Sequence, residues 1–253
     1  MPTRAWTSLF RAPNPGPMTL DGTNTWLLRA PSAPAGVVVD PGPDDAGHLA
    51  AVAAAGPVEA IMLTHGHLDH SEGADALRDL LDGDTPVLAA DPALCRGGGR
   101  PLRAGDVLTI GGVETTVVGT PGHTGDSVCL LARHGDESVM LTGDTILGRG
   151  TTVVAWPDGD LGDYLATLDT LGGYQGVPVL PGHGPVLPDC AEIARAYRAH
   201  REERLVQVRA ALAAGAASPA EVVAHVYPDL EPALVPAAEW TVRAALAHLG
   251  PST

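Results

Sequence analysis

Three histidines and one aspartate lie within the segment THGHLDH, which covers residues 64–70. Imidazole and carboxylate groups are the ligands that bind zinc and similar divalent ions in proteins. A histidine-rich surface loop is the ordinary alternative, but a full ligand set at this spacing argues against it. We expect His65 and His67 to hold one ion, while Asp69 and His70 reach a second.

The elements around this segment indicate how its ligands are positioned. The apolar run at residues 61–63 predicts the end of a buried strand, and a helix is predicted at residues 74–81 with Ser71 as its cap. The ligands would then lie in a loop between a strand and a helix, where a rigid scaffold usually holds reactive groups.

Three later residues repeat this arrangement, in which a predicted strand is followed by a turn that contains glycine and then by one candidate ligand. These residues are His123 after a strand at 113–119, Asp144 after a strand at 138–141, and His183 after a strand at 177–180. Taken singly, each would be interpreted as a turn or cap residue. Together with the first segment they predict one site, because ligands in α/β proteins collect at one edge of the sheets.

Alternating and continuous apolar runs predict the remaining elements. Further strands are expected at residues 25–28, 36–40, 86–90, 107–110 and 127–132, and helices at residues 44–55 and 161–171. The chain after the last strand is predicted to be helical, and the segment up to residue 17 is predicted to be an irregular lead-in because it is rich in Pro and Gly.

The motifs THGHLDH, GTPGHTGDS, LTGD and PGHG occur in this order and resemble those of the metallo-β-lactamase superfamily. The resemblance covers nearly the whole chain and implies an α/β fold, an αββα sandwich of two mixed sheets. It implies two divalent metal ions, for which we expect zinc, with manganese or iron as alternatives. The implied ligands are His65, His67 and His123 for the first ion, Asp69, His70 and His183 for the second, and Asp144 as a bridge between them.

Within the superfamily, the sequence most resembles the β-lactamase-like protein 2 group, in residues 22–26, 143–148 and 158–165. A small winged-helix-like domain follows the catalytic domain in that group, and residues 218–249 resemble it. We therefore expect a catalytic domain over residues 1–188 and a helical, winged-helix-like appendage over residues 189–253. We expect the appendage to cover the active site or to form a homodimer rather than to read DNA.

The implied ligand set predicts a hydrolase in which a hydroxide bridging two metal ions attacks the substrate. Asp69 and Asp144 are the expected catalytic carboxylates, which would orient the water or move its proton. The group includes endoribonucleases and thioesterases that act on carrier-bound polyketides. We expect hydrolysis of a small or carrier-bound ester or thioester. The alternatives are cleavage of single-stranded RNA and, in another class, a non-hydrolytic di-iron redox protein.

The net charge of −15, with no lysine, disfavours broad electrostatic binding of nucleic acid or of anionic membranes. Four arginines of the C-terminal segment share one face at helical spacing and are a candidate seat for an anionic substrate: Arg195, Arg198, Arg201 and Arg209. A solvated helix face is the favoured interpretation, because Glu202 lies on the same face and can pair with Arg198.

The three cysteines are Cys95, Cys129 and Cys190, and their odd number and wide spacing do not predict a disulfide framework. Cys129 lies in an apolar run and is expected to be a small core residue. The sequence contains no apolar run of the ~20 residues that a membrane span needs. We therefore expect a cytoplasmic protein without a membrane partner.

Overall fold

Two five-stranded mixed sheets form the centre of residues 4–250, which are the residues that the computed structural model describes. The first sheet contains, in spatial order, β1 (Thr7–Arg11), β2 (Asn24–Leu28), β3 (Gly36–Val39), β4 (Val58–Met62) and β5 (Val87–Leu88). The second contains β10 (Val179–Pro181), β9 (Glu137–Gly143), β8 (Val128–His134), β7 (Val113–Gly119) and β6 (Val107–Ile110). The pairs β3–β4, β4–β5 and β9–β10 are parallel, and the other pairs are antiparallel.

Within residues 4–250, four α-helices precede β10 in the chain and three follow it. They are α1 (Ala46–Ala53), α2 (Leu68–Ser71), α3 (Ala74–Leu80), α4 (Leu161–Leu171), α5 (Cys190–Ala213), α6 (Pro219–Val226) and α7 (Val235–Leu249). No helix within residues 4–250 is long and apolar enough to cross a membrane.

The strands are apolar on both faces because both faces of each sheet are covered. In β3, Val37 and Val39 point into the core between the sheets, whereas Val38 packs in the cluster that contains Leu49 of α1 and Leu77 of α3. In β8, alternate residues likewise face the inter-sheet core and the cluster formed with α4 to α7. The result is four layers, helix, sheet, sheet and helix, which confirms the predicted αββα sandwich.

The C-terminal helices pack on α4 and on one another, so their core is continuous with the outer face of the second sheet. Side chains cap two of these helices: Asp189 accepts a hydrogen bond from the backbone of Glu192 at the start of α5, and Ser218 accepts one from Glu221 at the start of α6. Helix is the only regular structure that the described part of residues 218–250 contains.

Two local predictions were wrong. The lead-in contains β1, which pairs antiparallel with β2 along its whole length. This edge strand is only partly buried, so its sequence carries a weak alternation signal. Ser71 is the last residue of α2 rather than the cap of α3, and its hydroxyl donates to the carbonyls of Gly66 and His67. Gly73 holds the N-cap position of α3.

Candidate metal centre

The seven predicted ligands lie at one edge of the two sheets, because each follows the carboxyl end of a strand. Residues 65–70 follow β4 in the first sheet, and the other three ligands follow β7, β9 and β10 in the second sheet. Strands β7 and β9 each run antiparallel to β8, and β10 runs parallel to β9. The ends of these three strands therefore reach the same edge.

The first group of ligand atoms comes from three histidines and Asp144. Nδ1 of His67 lies 3.1 Å from Nε2 of His65 and 3.1 Å from Nε2 of His123. One carboxylate oxygen of Asp144, Oδ2, lies 3.8 Å from Nε2 of His123. One ligand atom from each of these four residues lies within 4.8 Å of all the others.

The second group comprises Asp69, His70 and His183. The Nε2 atoms of the two histidines are 3.1 Å apart, and Oδ2 of Asp69 lies 3.4 Å from the former and 3.1 Å from the latter. The other oxygen of Asp144, Oδ1, lies 3.3 Å from both Nε2 atoms. Asp144 thus directs one oxygen to each group, which is the arrangement expected of a bridging ligand.

Oxygen atoms behind four of the histidines fix their ring orientations. Nδ1 of His123 faces the carbonyl of Val153 at 2.6 Å, and Nδ1 of His183 faces that of Gly22 at 3.4 Å. Nδ1 of His65 faces the hydroxyl of Thr64 at 3.1 Å, and Nδ1 of His70 faces a carboxylate. With the ring proton on Nδ1, each of these residues presents the lone pair of Nε2 to the centre.

The carboxylate behind His70 belongs to Asp40, which the sequence analysis did not select. Its Oδ2 lies 2.9 Å from Nδ1 of His70 and accepts the hydroxyl of Thr64 at 2.7 Å, while its Oδ1 accepts the backbone N–H of Thr64 at 2.8 Å. Asp40 therefore supports the second group directly and His65 through the Thr64 hydroxyl. Its position directly after β3 is the signal that the other ligands share.

The polar residues Asp126 and Ser127 follow His123 in the chain. Asp126 and Ser127 both bond the hydroxyl of Thr124, at 2.7 and 2.6 Å, so they stabilise the turn before β8. The buried guanidinium of Arg201, by contrast, donates to the carbonyl of Thr152, next to the carbonyl that bonds His123. Arg201 therefore does not belong to a solvated helix face.

Electrostatics differ between the two groups. Burial and the neighbouring His70 and His123 hold the pKa of His65 well below its ordinary value, and burial lowers the pKa of His123 to about 4. Burial acts in the same direction on His183, but the carboxylates of Asp144 and Asp69 outweigh it and raise its pKa to about 9.

The pKa of His70 is also raised well above its usual range, because the carboxylates of Asp144 and Asp40 outweigh the effect of burial. Burial alone would raise the pKa of Asp144, but His183 and His70 hold it well below its usual range. Asp144 is therefore ionised at neutral pH.

These residues fit a pair of divalent cations. In the first group, Nε2 of His65 and Nε2 of His123 each lie 3.1 Å from Nδ1 of His67. The other ring nitrogens of His65 and His123 face oxygen acceptors for their proton, so the Nε2 lone pairs point toward one another. Oδ1 of Asp144 is buried and has no hydrogen-bond partner among residues 4–250. Converging lone pairs and an unpartnered buried carboxylate oxygen are unfavourable unless a cation offsets them.

Gly182 provides the space that this arrangement needs. A Cβ atom at this position would lie 2.6 Å from Cε1 of His70 and 2.8 Å from Oδ1 of Asp144. Both distances are shorter than any normal carbon contact, so a larger residue would displace a ligand of the second group. The glycine before His183 is thus required by close packing at the centre.

Two cavities open at the ligands. The larger, of about 470 Å³, is lined by His67, Asp69, His123 and Asp144 together with Met18, Thr19, Leu68, Val153, Ala155 and Trp240. The smaller, of about 220 Å³, shares His123 and Asp144 and extends along residues 149–153. A substrate can therefore approach both groups of ligands from outside.

The family follows from this fold and from a match of sequence. Residues 18–183 match the family model of the metallo-beta-lactamase superfamily, and residues 218–250 match that of the beta-lactamase associated winged helix domain. The chain belongs to the metallo-beta-lactamase superfamily.

Individual relatives agree with this assignment. The chain is 33% identical to the lactamase-like protein vrtG of Penicillium aethiopicum over 87% of its own length and 70% of that protein. It is also 33% identical to the beta-lactamase-like protein 2 homolog of Caenorhabditis elegans over 76% of its length, which spans 65% of the worm protein. A beta-lactamase domain protein from Burkholderia ambifaria has the same fold, with a TM-score of 0.82 at 24% identity over 98% of this chain and 87% of that one.

Proposed function

We propose that this protein is a hydrolase that uses two divalent metal ions, zinc in the first instance, to cleave an ester or thioester. The choice of substrate rests on the larger cavity, where apolar side chains lie beside four of the candidate metal ligands. An apolar wall suits an acyl group and offers nothing to a phosphodiester backbone.

The arginines of α5 also argue against RNA as the substrate. Arg198 forms ion pairs with Asp169 at 3.0 Å and Glu202 at 3.4 Å, and Arg201 is buried. In the described part of the chain, neither cavity at the ligands has an arginine of α5 in its wall. Cleavage of single-stranded RNA would need a basic surface along the strand and exposed rings for stacking.

The candidate ligands would hold the ions as the sequence resemblance implies, with Asp144 shared between them. When bound, such ions supply Lewis acidity for the carbonyl oxygen and lower the pKa of water toward neutrality. The side chains behind the histidines keep the ring nitrogens turned toward the ions, so the centre needs little reorganisation during the reaction.

The reaction adds water to the acyl carbon, forms a C–O bond and breaks the bond to sulfur or to the ester oxygen. One proton of the water goes to the leaving thiol or alcohol, and a second is released from the acid product. Asp69 is the side chain proposed to hold the transferred proton, because its carboxylate is the most exposed among the ligands of the second group. Its Oδ2 also accepts the hydroxyl of Thr23 at 3.3 Å, which fixes its orientation.

The test is a parallel assay of zinc-loaded protein on an acyl thioester and on a single-stranded RNA, each repeated after chelation. The proposal predicts thioester cleavage that chelation abolishes and metal restores, with the RNA left intact. RNA cleavage without thioester cleavage would overturn the choice of substrate. Activity that survives complete removal of metal would overturn the mechanism.

A further inference from the structure

The larger cavity combines exposed apolar side chains with the charged and polar side chains of the candidate metal ligands. Three of its large apolar side chains are well exposed, with fractions of 44% for Met18, 69% for Leu68 and 44% for Trp240. Val153 and Ala155 complete the apolar side. Exposed apolar side chains that converge on one cavity mark a binding surface, because leaving them in water is unfavourable.

The wall is assembled from separate parts of the chain. Met18 lies before β2, Leu68 lies within the ligand segment itself, and Trp240 belongs to α7 in the C-terminal region. Other residues of α7, such as Val242 and Ala245, are buried in the helical core, so Trp240 is on the side of the helix that leaves that core. The C-terminal region thereby supplies the largest side chain of the cavity.

The smaller cavity differs from the larger one in volume. It holds about 220 Å³ and is lined by Arg149, Thr151 and Thr152 together with apolar side chains, which are Pro17, Met18, Leu20, Leu147, Val153 and Leu234. The guanidinium of Arg149 already pairs with the carboxylate of Asp21 at 2.6 and 2.8 Å. The volume of the smaller cavity is less than half that of the larger one, so it suits a thin chain, such as the thiol arm of a carrier, better than a bulky acyl group.

We propose that Trp240, together with Met18 and Leu68, forms the acyl-binding site of this enzyme and selects thioesters with extended apolar acyl groups. The inference rests on the proposed function and names its substrate class. The acyl group lies in the larger cavity and the thiol arm in the smaller one. The two cavities share Met18 and Val153 as well as His123 and Asp144, so the scissile bond lies where they meet, beside His123 and Asp144. A volume of about 470 Å³ falls in the range of small-ligand sites, roughly 300–1,000 Å³.

The first arm of the experiment uses zinc-loaded wild-type protein and one thiol esterified with acetyl, butyryl, hexanoyl and octanoyl groups. Burial of a methylene contributes about 0.8 kcal/mol, so kcat/KM is expected to rise roughly fourfold per added methylene until the cavity is filled. Cleavage of none of these thioesters would contradict the proposed function itself. Cleavage of all of them at equal rates would leave that function standing and overturn the acyl site.

The second arm compares Trp240→Ala and Trp240→Phe with Val206→Ala. Val206 is an exposed apolar residue of α5, at 62%, and it lines neither cavity at the ligands. Trp240→Ala is expected to flatten the dependence on chain length, because KM should rise far more for octanoyl than for acetyl. Trp240→Phe should restore most of the dependence, and Val206→Ala should keep all of it. An unchanged dependence in Trp240→Ala would overturn the proposal.

The third arm keeps the octanoyl group and varies the thiol between a short apolar thiol and a pantetheine-type thiol. The proposal expects Trp240→Ala to weaken both substrates by the same factor, because the residue contacts only the acyl side. If the loss followed the thiol instead, the orientation of the substrate would be reversed and the acyl site would be wrong.

Discussion

The two halves of the candidate metal centre contain similar ligands but hold protons very differently. The first half contains three imidazole ligands, which are His65, His67 and His123. Behind His65 lies the hydroxyl of Thr64, and behind His123 lies a backbone carbonyl. In the second half, His70 and His183 face the carboxylates of Asp69 and Asp144, and Asp40 stands behind His70.

The protonation state of each histidine, and with it the pH at which it binds metal, is therefore set by the groups around the ring. Burial favours neutral His65 and His123 in the first half, with the pKa of His123 at about 4. The carboxylates of the second half favour the protonated histidines, with the pKa of His183 at about 9. An imidazole binds metal only in its neutral form. The histidines of the second half must therefore lose protons when metal binds, whereas His65 and His123 of the first half are already neutral.

Loss of the shared ligand should have the largest effect. Asp144→Ala combined with His67→Ala is expected to abolish hydrolysis, about a thousandfold or more, because several kcal/mol of transition-state stabilisation are removed. Most of the fold should remain, as circular dichroism would show. Asp136→Asn, an exposed carboxylate in the turn between β8 and β9, is the control and should retain full activity. Retained turnover in the double variant would show that the assignment of His67 and Asp144 as metal ligands is wrong.

Replacement of Asp40, the carboxylate behind His70, should change the metal affinity of the two halves by different amounts. Asp40→Asn removes the charge behind His70 and is expected to weaken metal binding by about 10–100-fold in the second half. The first half should lose less, because Asp40 reaches His65 only through the hydroxyl of Thr64. Titration with a chromophoric chelator as competitor measures the two affinities. Equal losses in the two halves would contradict the comparison.

Changing the pH should separate the halves without mutation. Below a pKa of about 9, His183 holds a proton that metal must displace, so the affinity of the second half should rise as pH increases from 6 to 9. The expected change is roughly tenfold per pH unit for each proton displaced. Because burial lowers the pKa of His123 to about 4, this ligand of the first half is already neutral, and the affinity of the first half should change less over the same interval. Calorimetry in buffers of different ionisation enthalpy counts the protons released when each ion binds. If no proton were released when the second half binds its ion, the proposed difference between the halves would be wrong.

The smallest effect is expected from a residue outside both halves. Arg201→Met removes the donor to Thr152, whose neighbour Val153 bonds His123, so it should lower the free energy of unfolding by about 1–3 kcal/mol. Denaturant unfolding measures this loss, and Arg201→Lys should recover part of it. Metal affinity should fall in the first half more than in the second. A variant as stable as wild type would show that the hydrogen bond is unimportant.

The sequence predicted those features that local pattern determines. The four ligand loops could be recognised because each combines a short apolar strand, a glycine-containing turn and a ligand, and α4 was predicted with its observed bounds. β1 was missed because its stability comes from pairing with β2 rather than from its own residues. Asp40 follows a strand as the ligands do, but its contact with His70 joins segments that are distant in the chain. Arg201 and Trp240 also act through contacts between distant segments, and no motif accompanies them. The domain boundary at residue 188 and the homodimer stay predictions.

Seven side chains are proposed to hold two divalent ions, and the metal content of metal-free protein after titration with zinc and dialysis measures this directly. We expect two zinc ions per wild-type chain, with thioester hydrolysis that reaches its maximum only as the second ion binds. Gly182→Val, which crowds His70 and Asp144, should retain the first ion and lose the second. A wild-type chain that binds no more than one zinc ion at full activity would show that the proposed pair of ions is wrong.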